Sequence, residues 1–197
     1  MTFLALVRHG ETEWNAERRL QGSSDIPLND TGRAQAARAG ARLAAHRWDV
    51  LVSSPLSRAG ETADIIGTHL DLARSATYPG LTERHFGAAE GVTDYEAWDL
   101  WPDGNYPGLE PRDAMARRGL AALDELADRH PDSAVVAVSH GGLIRSVLGA
   151  IHGRWAPRIP NAGISILHHD GRRWTVRSVN GVDLGGHGAP DRAGVTS

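Results

Sequence analysis

The 197-residue chain contains neither cysteine nor lysine. The absence of cysteine excludes disulfide bonds, thiolate metal sites and cysteine nucleophiles. The absence of lysine makes all 21 basic residues arginine, so no Schiff base can form and no ammonium side chain can bind a substrate. Codon bias in a GC-rich genome is the simpler cause of this composition, but the chemical consequence is the same whatever the cause.

Long apolar runs and a strong charge imbalance are also missing. No apolar run is long enough to cross a bilayer, and the N-terminus shows no basic region followed by an apolar core and a cleavage site. The net charge is −3, which gives no electrostatic reason to expect nucleic acid or an anionic membrane as a partner. We therefore expect a cytoplasmic protein that binds neither.

The order of the predicted elements indicates an α/β protein, because apolar strands alternate with capped, amphipathic helices. The predicted strands are Phe3–Val7, Asp49–Ser53, 75–80, Ala134–Val138, Ile164–His168 and Trp174–Val179. The predicted helices are Thr31–Ala45, Ser57–Leu70, Tyr95–Leu100, 111–130 and Leu143–Ile151. This pattern implies a three-layer α/β/α fold with a largely parallel central sheet. We expect one domain over residues 1–184 and a flexible Gly-rich tail over 185–197.

The first predicted strand ends at the triplet Arg8-His9-Gly10. Ligands in open α/β sheets bind at the carboxyl ends of the strands. Arg8 offers a planar fork of donors that matches phosphate, and His9 offers a nitrogen nucleophile near neutral pH. Gly10 would let the backbone turn sharply beside them. The triplet therefore suggests phosphoryl transfer through a phosphohistidine.

A second histidine, His140, ends the apolar strand Ala134–Val138 in the run Ser139-His140-Gly141. Two parallel strands that both end in histidine would place the two imidazoles in one pocket. A metal pair is the competing interpretation, because histidine is the commonest metal ligand. We favour a metal-free site, since the neighbouring arginines would repel a cation and few carboxylates lie nearby in the sequence.

Four segments in this order resemble the histidine phosphatase superfamily, in the branch that includes cofactor-dependent phosphoglycerate mutase. They are Leu6–Asn15, Ser53–Ala63, Leu81–Gly87 and Ser139–Gly142. The residues after Gly10 do not follow the Arg-His-Gly-x-Arg-x-Pro pattern of the superfamily's other large branch. The resemblance covers most of residues 1–180 and implies a phosphoglycerate mutase-like α/β fold and a phosphohistidine intermediate.

The resemblance also implies a role for individual residues. His9 is the nucleophile, Arg8 and Arg58 clamp the phosphoryl group, His140 donates to it, and Glu83 is the general acid and base. The implied phosphate or substrate contacts also include Asn15, Gln21, Arg84 and Gly141. Weaker candidates are Glu11 and Glu90 for the acid, Ser57 and Asn161 for outer contacts, and Trp98, Trp101 and Tyr106 for either a roof over the pocket or ordinary loop packing.

Hydrolysis is favoured over mutase activity. Mutases of this family grip a carboxylate with extra cationic residues, including lysine, from a long insertion, and here the segment between Glu83 and His140 is short, acidic and aromatic. The segment Glu83–Gly87 favours mutase activity instead, since its sequence is close to that of the mutases. We expect a small phosphorylated substrate, inorganic phosphate as product and inhibitor, and no cofactor. A phosphoglycerate mutase and a catalytically silent phospho-ligand binding protein remain the alternatives, and the sequence leaves homodimer formation open.

Overall fold

The computed structural model describes residues 1–153 and 156–184. Its centre is a seven-stranded sheet with the strand order β3-β2-β4-β1-β5-β6-β7. The strands are β1 Thr2–Arg8, β2 Val50–Ser53, β3 Arg74–Thr77, β4 Ala134–Ser139, β5 Ile164–His169, β6 Trp174–Val179 and β7 Val182–Asp183. Strands β3, β2, β4 and β1 run parallel, and β5, β6 and β7 join antiparallel. The predicted α/β fold with a largely parallel sheet is confirmed.

Helices cover both faces of this sheet. They are α1 Glu13–Ala16, α2 Asp30–Leu43, α3 Ser57–Leu70, α4 Asp94–Leu100, α5 Arg112–Arg129 and α6 Gly141–His152, with 3₁₀ turns at Pro79–Leu81 and Gly87–Ala89. Alternate residues of β1 divide between the two cores: Leu4 and Leu6 pack on the side of α5 and α6, and Ala5 and Val7 on the side of α2 and α3. Burial on both faces explains why the central strands are continuous apolar runs.

The sequence located most elements but missed two. The bounds of α3 are those predicted, and Asn29 caps α2 by accepting a hydrogen bond from the Gly32 N–H at 2.8 Å. The short helix α1 and the strand β7 were not predicted. Helix α6 starts at Gly141 rather than at the predicted Leu143, which matters because its first backbone N–H groups face the site.

The register of the parallel strands positions the site. Arg8 of β1 lies beside Ser139 of β4, so His9 and His140 leave the sheet at the same level. Strand β2 flanks β4 on its other side, with Ser53 beside Val138. The ends of β1, β4 and β2 therefore meet at one edge, where open α/β sheets bind their ligands.

Within residues 1–153 and 156–184, no helix is both long and apolar enough to cross a membrane. The Gly-rich tail expected over 185–197 lies outside the described residues, so its flexibility stays a prediction, as does the single domain over 1–184.

Candidate active site

Two buried histidines stand side by side at the edge formed by β1 and β4. The ring centroids of His9 and His140 are 5.1 Å apart, and the rings are tilted by 59°. Both side chains are almost fully shielded from solvent. The pairing expected from two strands that end in histidine is present.

One ring nitrogen of His9 is occupied and the other is available. The Nδ1 atom lies 2.6 Å from the Gly10 carbonyl oxygen, so Nδ1 carries the proton and donates it, which leaves the lone pair on Nε2. Burial lowers the pKa of His9 well below its usual value, and the charges of Arg58 and Arg8 lower it further. A neutral imidazole with a free Nε2 is the form that attacks an electrophile.

Gly10 allows a close packing contact. Its φ is not positive, so the reason for glycine here is the space around it rather than a left-handed backbone, and the sharp turn expected from the sequence stays a prediction. A Cβ at Gly10 would lie 2.3 Å from the carbonyl oxygen of Gly32, at the start of α2. Only glycine allows the loop after β1 and helix α2 to approach this closely, and that approach holds the His9 backbone in place.

His140 presents the opposite ring nitrogen. Its Nε2 lies 2.8 Å from the Ser54 hydroxyl, and that hydroxyl already accepts a hydrogen bond from the Leu56 N–H at 3.3 Å. The Ser54 hydroxyl can donate its proton to Nε2, and in that tautomer the imidazole proton is on Nδ1. Nδ1 is buried and has no partner among the described residues. Burial first, and then the charge of Arg58, lowers the pKa of His140 well below its usual value.

Two arginines border the histidines, and the backbone fixes both. Arg58, in the first turn of α3, is fully buried and donates to the carbonyls of Gly22 and Ser24, each at 2.8 Å. Arg8 donates to the carbonyl of Ile159 at 2.9 Å. In both side chains Nε is buried without a partner in the described part of the chain. Burial lowers the pKa of each to about 10, yet both remain cations at neutral pH.

Glu83 lies at the N-terminus of α6. Its carboxylate accepts hydrogen bonds from the N–H groups of Gly142 at 2.9 Å, Leu143 at 3.1 Å and Arg84 at 2.8 Å. A Cβ at Gly142 would lie 2.4 Å from the carboxylate, so glycine is required for this approach. Arg118 of α5 holds the same segment by donating to the Glu83 carbonyl at 2.8 Å.

A chain of amides reaches the site from the other side. Asn161 donates to the His9 carbonyl at 3.2 Å and to Asn15 Oδ1 at 3.0 Å. Asn15 in turn donates to Gln21 Oε1 at 3.2 Å, and the Thr12 hydroxyl donates to the same oxygen at 3.0 Å. These contacts fix the orientation of the Gln21 amide, whose buried Nε2 has no partner among the described residues.

The remaining residues predicted for the site differ in what they contact. A Cβ at Gly141 would lie 3.1 Å from Arg8 Nε, so Gly141 is next to the clamp. Arg84 donates through Nε to the Glu110 carbonyl at 2.8 Å and lines a groove together with Gly142. Ser57 bonds Asp25 at the surface. Glu11 accepts a hydrogen bond from Asn29 at 3.0 Å.

Glu90 is an anchor for the loop that holds Arg58. Its carboxylate accepts hydrogen bonds from the backbone N–H of Ser23 at 2.9 Å and of Ser24 at 2.8 Å, and from both hydroxyls. Burial raises the pKa of Glu90, but these hydrogen bonds outweigh it and lower the pKa overall. Sequence reasoning missed this link and the bond between Ser54 and His140. Ser54 lies inside the segment Ser53–Ala63, so the resemblance of that segment to the superfamily was the signal available in the sequence.

The sequence left two interpretations open for the aromatic residues of the loop, a roof over the pocket and ordinary packing. Trp98 is 70% exposed, so it is not packed into the core of the protein. Trp101 and Tyr106 meet edge to face at 5.4 Å and are only half-buried.

Across residues 1–153 and 156–184, no three histidine or acidic side chains cluster in a way that could hold a metal ion.

Comparison with known proteins identifies the family. A model of the histidine phosphatase superfamily (branch 1) matches residues 4–181. The chain belongs to this superfamily. An uncharacterized phosphatase, PhoE, of Bacillus subtilis is 36% identical over 184 residues, which span 91% of this chain and 95% of PhoE. Phosphoglycerate mutase-like protein 4 of Arabidopsis thaliana is 36% identical over 190 residues, which span 88% of this chain and 83% of that protein.

Among solved structures, a mycobacterial glucosyl-3-phosphoglycerate phosphatase in complex with VO3 superposes with a TM-score of 0.80. It is 30% identical, and the match covers 88% of this chain and 96% of that one. The superfamily resemblance drawn from the sequence is confirmed, and phosphatases and mutase-like proteins both occur among the relatives.

Proposed function

We propose that this protein is a phosphomonoester hydrolase that works through a phosphohistidine on His9. The observation that carries the proposal is the neutral His9, with Nε2 available, beside His140 and two buried arginines. Within residues 1–153 and 156–184, neither Arg8 nor Arg58 forms an ion pair with a carboxylate. Such buried cations make a site for a multiply charged anion, and a phosphoryl group can accept hydrogen bonds from both.

The first step transfers the phosphoryl group to the protein. His9 Nε2 donates its lone pair to phosphorus while the bond from phosphorus to the ester oxygen breaks. The leaving oxygen takes a proton from Glu83 as it departs. The products of this step are a free alcohol, a phosphohistidine and a Glu83 carboxylate.

The second step returns the protein to its starting state. Glu83 takes a proton from water while the water oxygen attacks phosphorus and the bond from His9 Nε2 to phosphorus breaks. Inorganic phosphate leaves, and Glu83 is again protonated. The hydrogen bonds from Gly142 and Leu143 stabilise the carboxylate that exists between the two steps.

Arg8, Arg58 and His140 stabilise the charge that spreads over the phosphoryl oxygens. The Nε–H groups of the arginines and the Nδ1–H of His140 have no partner in the described part of the chain, and they are donors already held in position. Little reorganisation is therefore needed as the reaction proceeds. Gln21 and Asn15 add neutral amide donors, and Gly141 leaves room beside Arg8.

Hydrolysis fits the chain better than mutase activity. A mutase must hold a second phosphorylated molecule, and the segment between Glu83 and His140 has no lysine and carries several acidic residues. Within it, Arg118 pairs with Glu110 at 2.7 Å, and Arg117 pairs with Asp113. Arg84 and Arg112 line the groove beside Gly142, and they are the residues that a mutase would use for a second anion.

Phosphate release from p-nitrophenyl phosphate, measured with and without EDTA, tests the proposal. We expect turnover that EDTA leaves unchanged and that inorganic phosphate inhibits competitively. Efficient phosphoryl exchange between phosphoglycerates, dependent on 2,3-bisphosphoglycerate and faster than phosphate release, would favour the mutase. Phosphate binding without any turnover would favour the silent binding protein.

A further inference from the structure

The Glu90 carboxylate is occupied by hydrogen bonds from one loop. Its Oε1 accepts from the Ser23 N–H at 2.9 Å and from the Ser23 hydroxyl at 3.0 Å. Its Oε2 accepts from the Ser24 N–H at 2.8 Å and from the Ser24 hydroxyl. A Cβ at Gly22 would lie 2.3 Å from Oε1, so the carboxylate reaches this loop only because glycine stands there.

Arg58 holds the same loop through its carbonyl groups. Its Nη1 and Nη2 donate to the carbonyls of Ser24 and Gly22, each at 2.8 Å. The Gly22 carbonyl and the Ser23 N–H belong to one trans peptide, so they point in opposite directions. This peptide directs its oxygen at the Arg58 guanidinium and its N–H at the Glu90 carboxylate. The two charges polarise it in the same sense, so each hydrogen bond strengthens the other.

This arrangement fixes the direction of the Arg58 Nε–H. The guanidinium is planar, so holding both Nη atoms determines where Nε–H points. Nε is buried and has no partner among the described residues. Burial lowers the pKa of His9 and of His140, and the charge of Arg58 lowers both further, which places this cation next to the histidines. The direction of its free donor therefore depends on where the loop stands.

We infer that Glu90 is a positioning residue for Arg58. Acting through the peptide between Gly22 and Ser23, its carboxylate holds the loop that aims the Arg58 Nε–H at the phosphoryl group. Glu90 acts through Arg58 rather than on the substrate, because both of its oxygens are occupied by the loop. This inference rests on the proposed hydrolase function and adds to it a residue behind the phosphate clamp.

The sign of the effect on anion binding distinguishes positioning from simple electrostatics. If only charge mattered, removing a carboxylate near an anion site would tighten anion binding, because a repulsion disappears. Removing a carboxylate that aims a cationic donor should weaken it. Asp25 offers the comparison. Burial lowers the pKa of Arg58, and among the charges that raise it again that of Asp25 exceeds that of Glu90.

Titration calorimetry with inorganic phosphate tests the inference without requiring turnover. Glu90→Gln keeps the shape of the side chain, but its NH₂ group replaces one oxygen that accepts from the loop. We expect the Kd of phosphate to rise about 3–10-fold, less than on loss of the guanidinium itself. Circular dichroism and thermal unfolding must show a folded variant.

Two carboxylates serve as matched controls. Asp25→Asn loses its charge but keeps the oxygen that accepts from the N–H and hydroxyl of Ser57, so the Kd should stay equal or fall. Glu96 accepts from the N–H and hydroxyl of Thr93 just as Glu90 does from its loop. It is not among the charges acting on Arg58, and Glu96→Gln should leave the Kd unchanged.

A double-mutant cycle with Arg58→Gln locates the effect. If Glu90 acts through Arg58, then Glu90→Gln should change the Kd by less than about twofold in the Arg58→Gln background. Glu90→Asp keeps the charge on a shorter side chain and should fall between the wild type and Glu90→Gln. It takes the place of Glu90→Gln in the cycle if that variant does not fold.

The outcomes separate the inference from the function on which it rests. Unchanged or tighter phosphate binding by Glu90→Gln overturns the inference. An equal loss with and without Arg58→Gln also overturns it, since Glu90 would then act by another contact, such as the Phe86 N–H at 3.3 Å. Phosphate binding without turnover of any phosphomonoester rejects the hydrolase, while the cycle still decides the role of Glu90. No phosphate binding by the wild type overturns the clamp, and this inference with it.

Discussion

The phosphate cradle is formed by Arg8, His9, Arg58 and His140. The groove beside Gly142 is lined by Arg84, Arg112 and Arg145. Both regions use arginine, but they hold it in different ways. In the cradle Arg58 is fully buried and fixed by two backbone carbonyls. In the groove Arg112 is exposed at the first turn of α5. Charges in a buried, pre-arranged site act at low dielectric, whereas exposed charges are screened by water and salt.

The difference suggests a division of labour. The cradle has fixed donors around one position and suits the phosphoryl group common to every substrate. The groove carries the exposed Arg112, whose charge is screened by water and salt, so we expect it to affect the choice of substrate more than the rate of chemistry. Changes in the cradle should therefore harm all substrates, and changes in the groove should harm only those that reach it.

The largest effect is expected from His9→Ala, which removes the nucleophile. Turnover of every phosphomonoester should fall by several orders of magnitude, because the phosphohistidine can no longer form. Acid-labile ³²P should label the peptide that contains His9 in the wild type and be absent from the variant. The exposed His46 offers the control, and His46→Ala should keep full activity. Wild-type turnover by His9→Ala would mean that another residue accepts the phosphoryl group.

Glu83→Gln tests the proton donor, because its effect on the rate should depend on the leaving group of the substrate. An alkyl phosphate releases an alkoxide that needs a proton, whereas p-nitrophenolate leaves with little help. We expect the pre-steady-state burst with an alkyl phosphate to slow by roughly 10²–10⁴-fold, the usual range for general acid catalysis. The burst with p-nitrophenyl phosphate should slow far less. The burst is the informative measurement because water attack also uses Glu83.

Two controls complete that experiment. Glu125→Gln removes an exposed carboxylate on α5 and should alter neither burst. Equal slowing of both bursts in Glu83→Gln would assign the acid role to another group. Glu11 would then be the first candidate, since the Glu90 carboxylate is already held by the loop at Ser23 and Ser24.

Arg58→Gln should weaken anion binding in the cradle. Loss of a charge-assisted hydrogen bond costs about 1.5–3 kcal/mol, so the Kd of vanadate or phosphate should rise roughly 10–150-fold. The burst should slow by a similar factor with good and poor leaving groups, unlike in Glu83→Gln. Because Arg58 also holds the loop at Gly22 and Ser24, circular dichroism and thermal unfolding must show a folded variant. Unchanged anion affinity in a folded Arg58→Gln would contradict the clamp.

The cradle was more predictable than the groove for a physical reason. Strand periodicity places His9 and His140 at the ends of apolar runs, and parallel pairing brings such ends together, so local patterns determine the geometry. Helix α3 has its predicted bounds, which places Arg58 in its first turn. The early start of α6 at Gly141 was missed because two glycines are poor helix formers, and here the Glu83 carboxylate stabilises that first turn.

The groove depends on how distant elements pack. Arg84 lies in a loop, Arg112 at the start of α5 and Arg145 on α6. Nothing in the local sequence distinguishes Arg112 from the exposed arginines of α2, such as Arg38 and Arg42. Only the packing of α5 against α6 brings these side chains to one opening, and side-chain periodicity on each helix does not predict that arrangement.

The smallest effect concerns the pH dependence of stability. We expect the buried histidines of the cradle to contribute to it and the arginines of the groove not to. His9 and His140 have pKa values well below 6.5 in the folded protein, chiefly because of burial. Above about pH 6.5 both states are neutral at these positions, so neither histidine changes the free energy of unfolding. As the pH falls below about 6.5 the unfolded chain binds protons that the folded protein excludes. Stability is therefore lost by up to about 1.4 kcal/mol per pH unit for each histidine, until the pH reaches the folded-state pKa.

Urea unfolding between pH 7.5 and 5 should show this slope, and His140→Asn should reduce it by up to that amount. Arg112→Gln should leave the slope unchanged, since Arg112 is not among the charges acting on either histidine. An unaltered slope in His140→Asn would show that His140 binds its proton over the same pH range in the folded and the unfolded protein, which would contradict the lowered pKa of this buried imidazole.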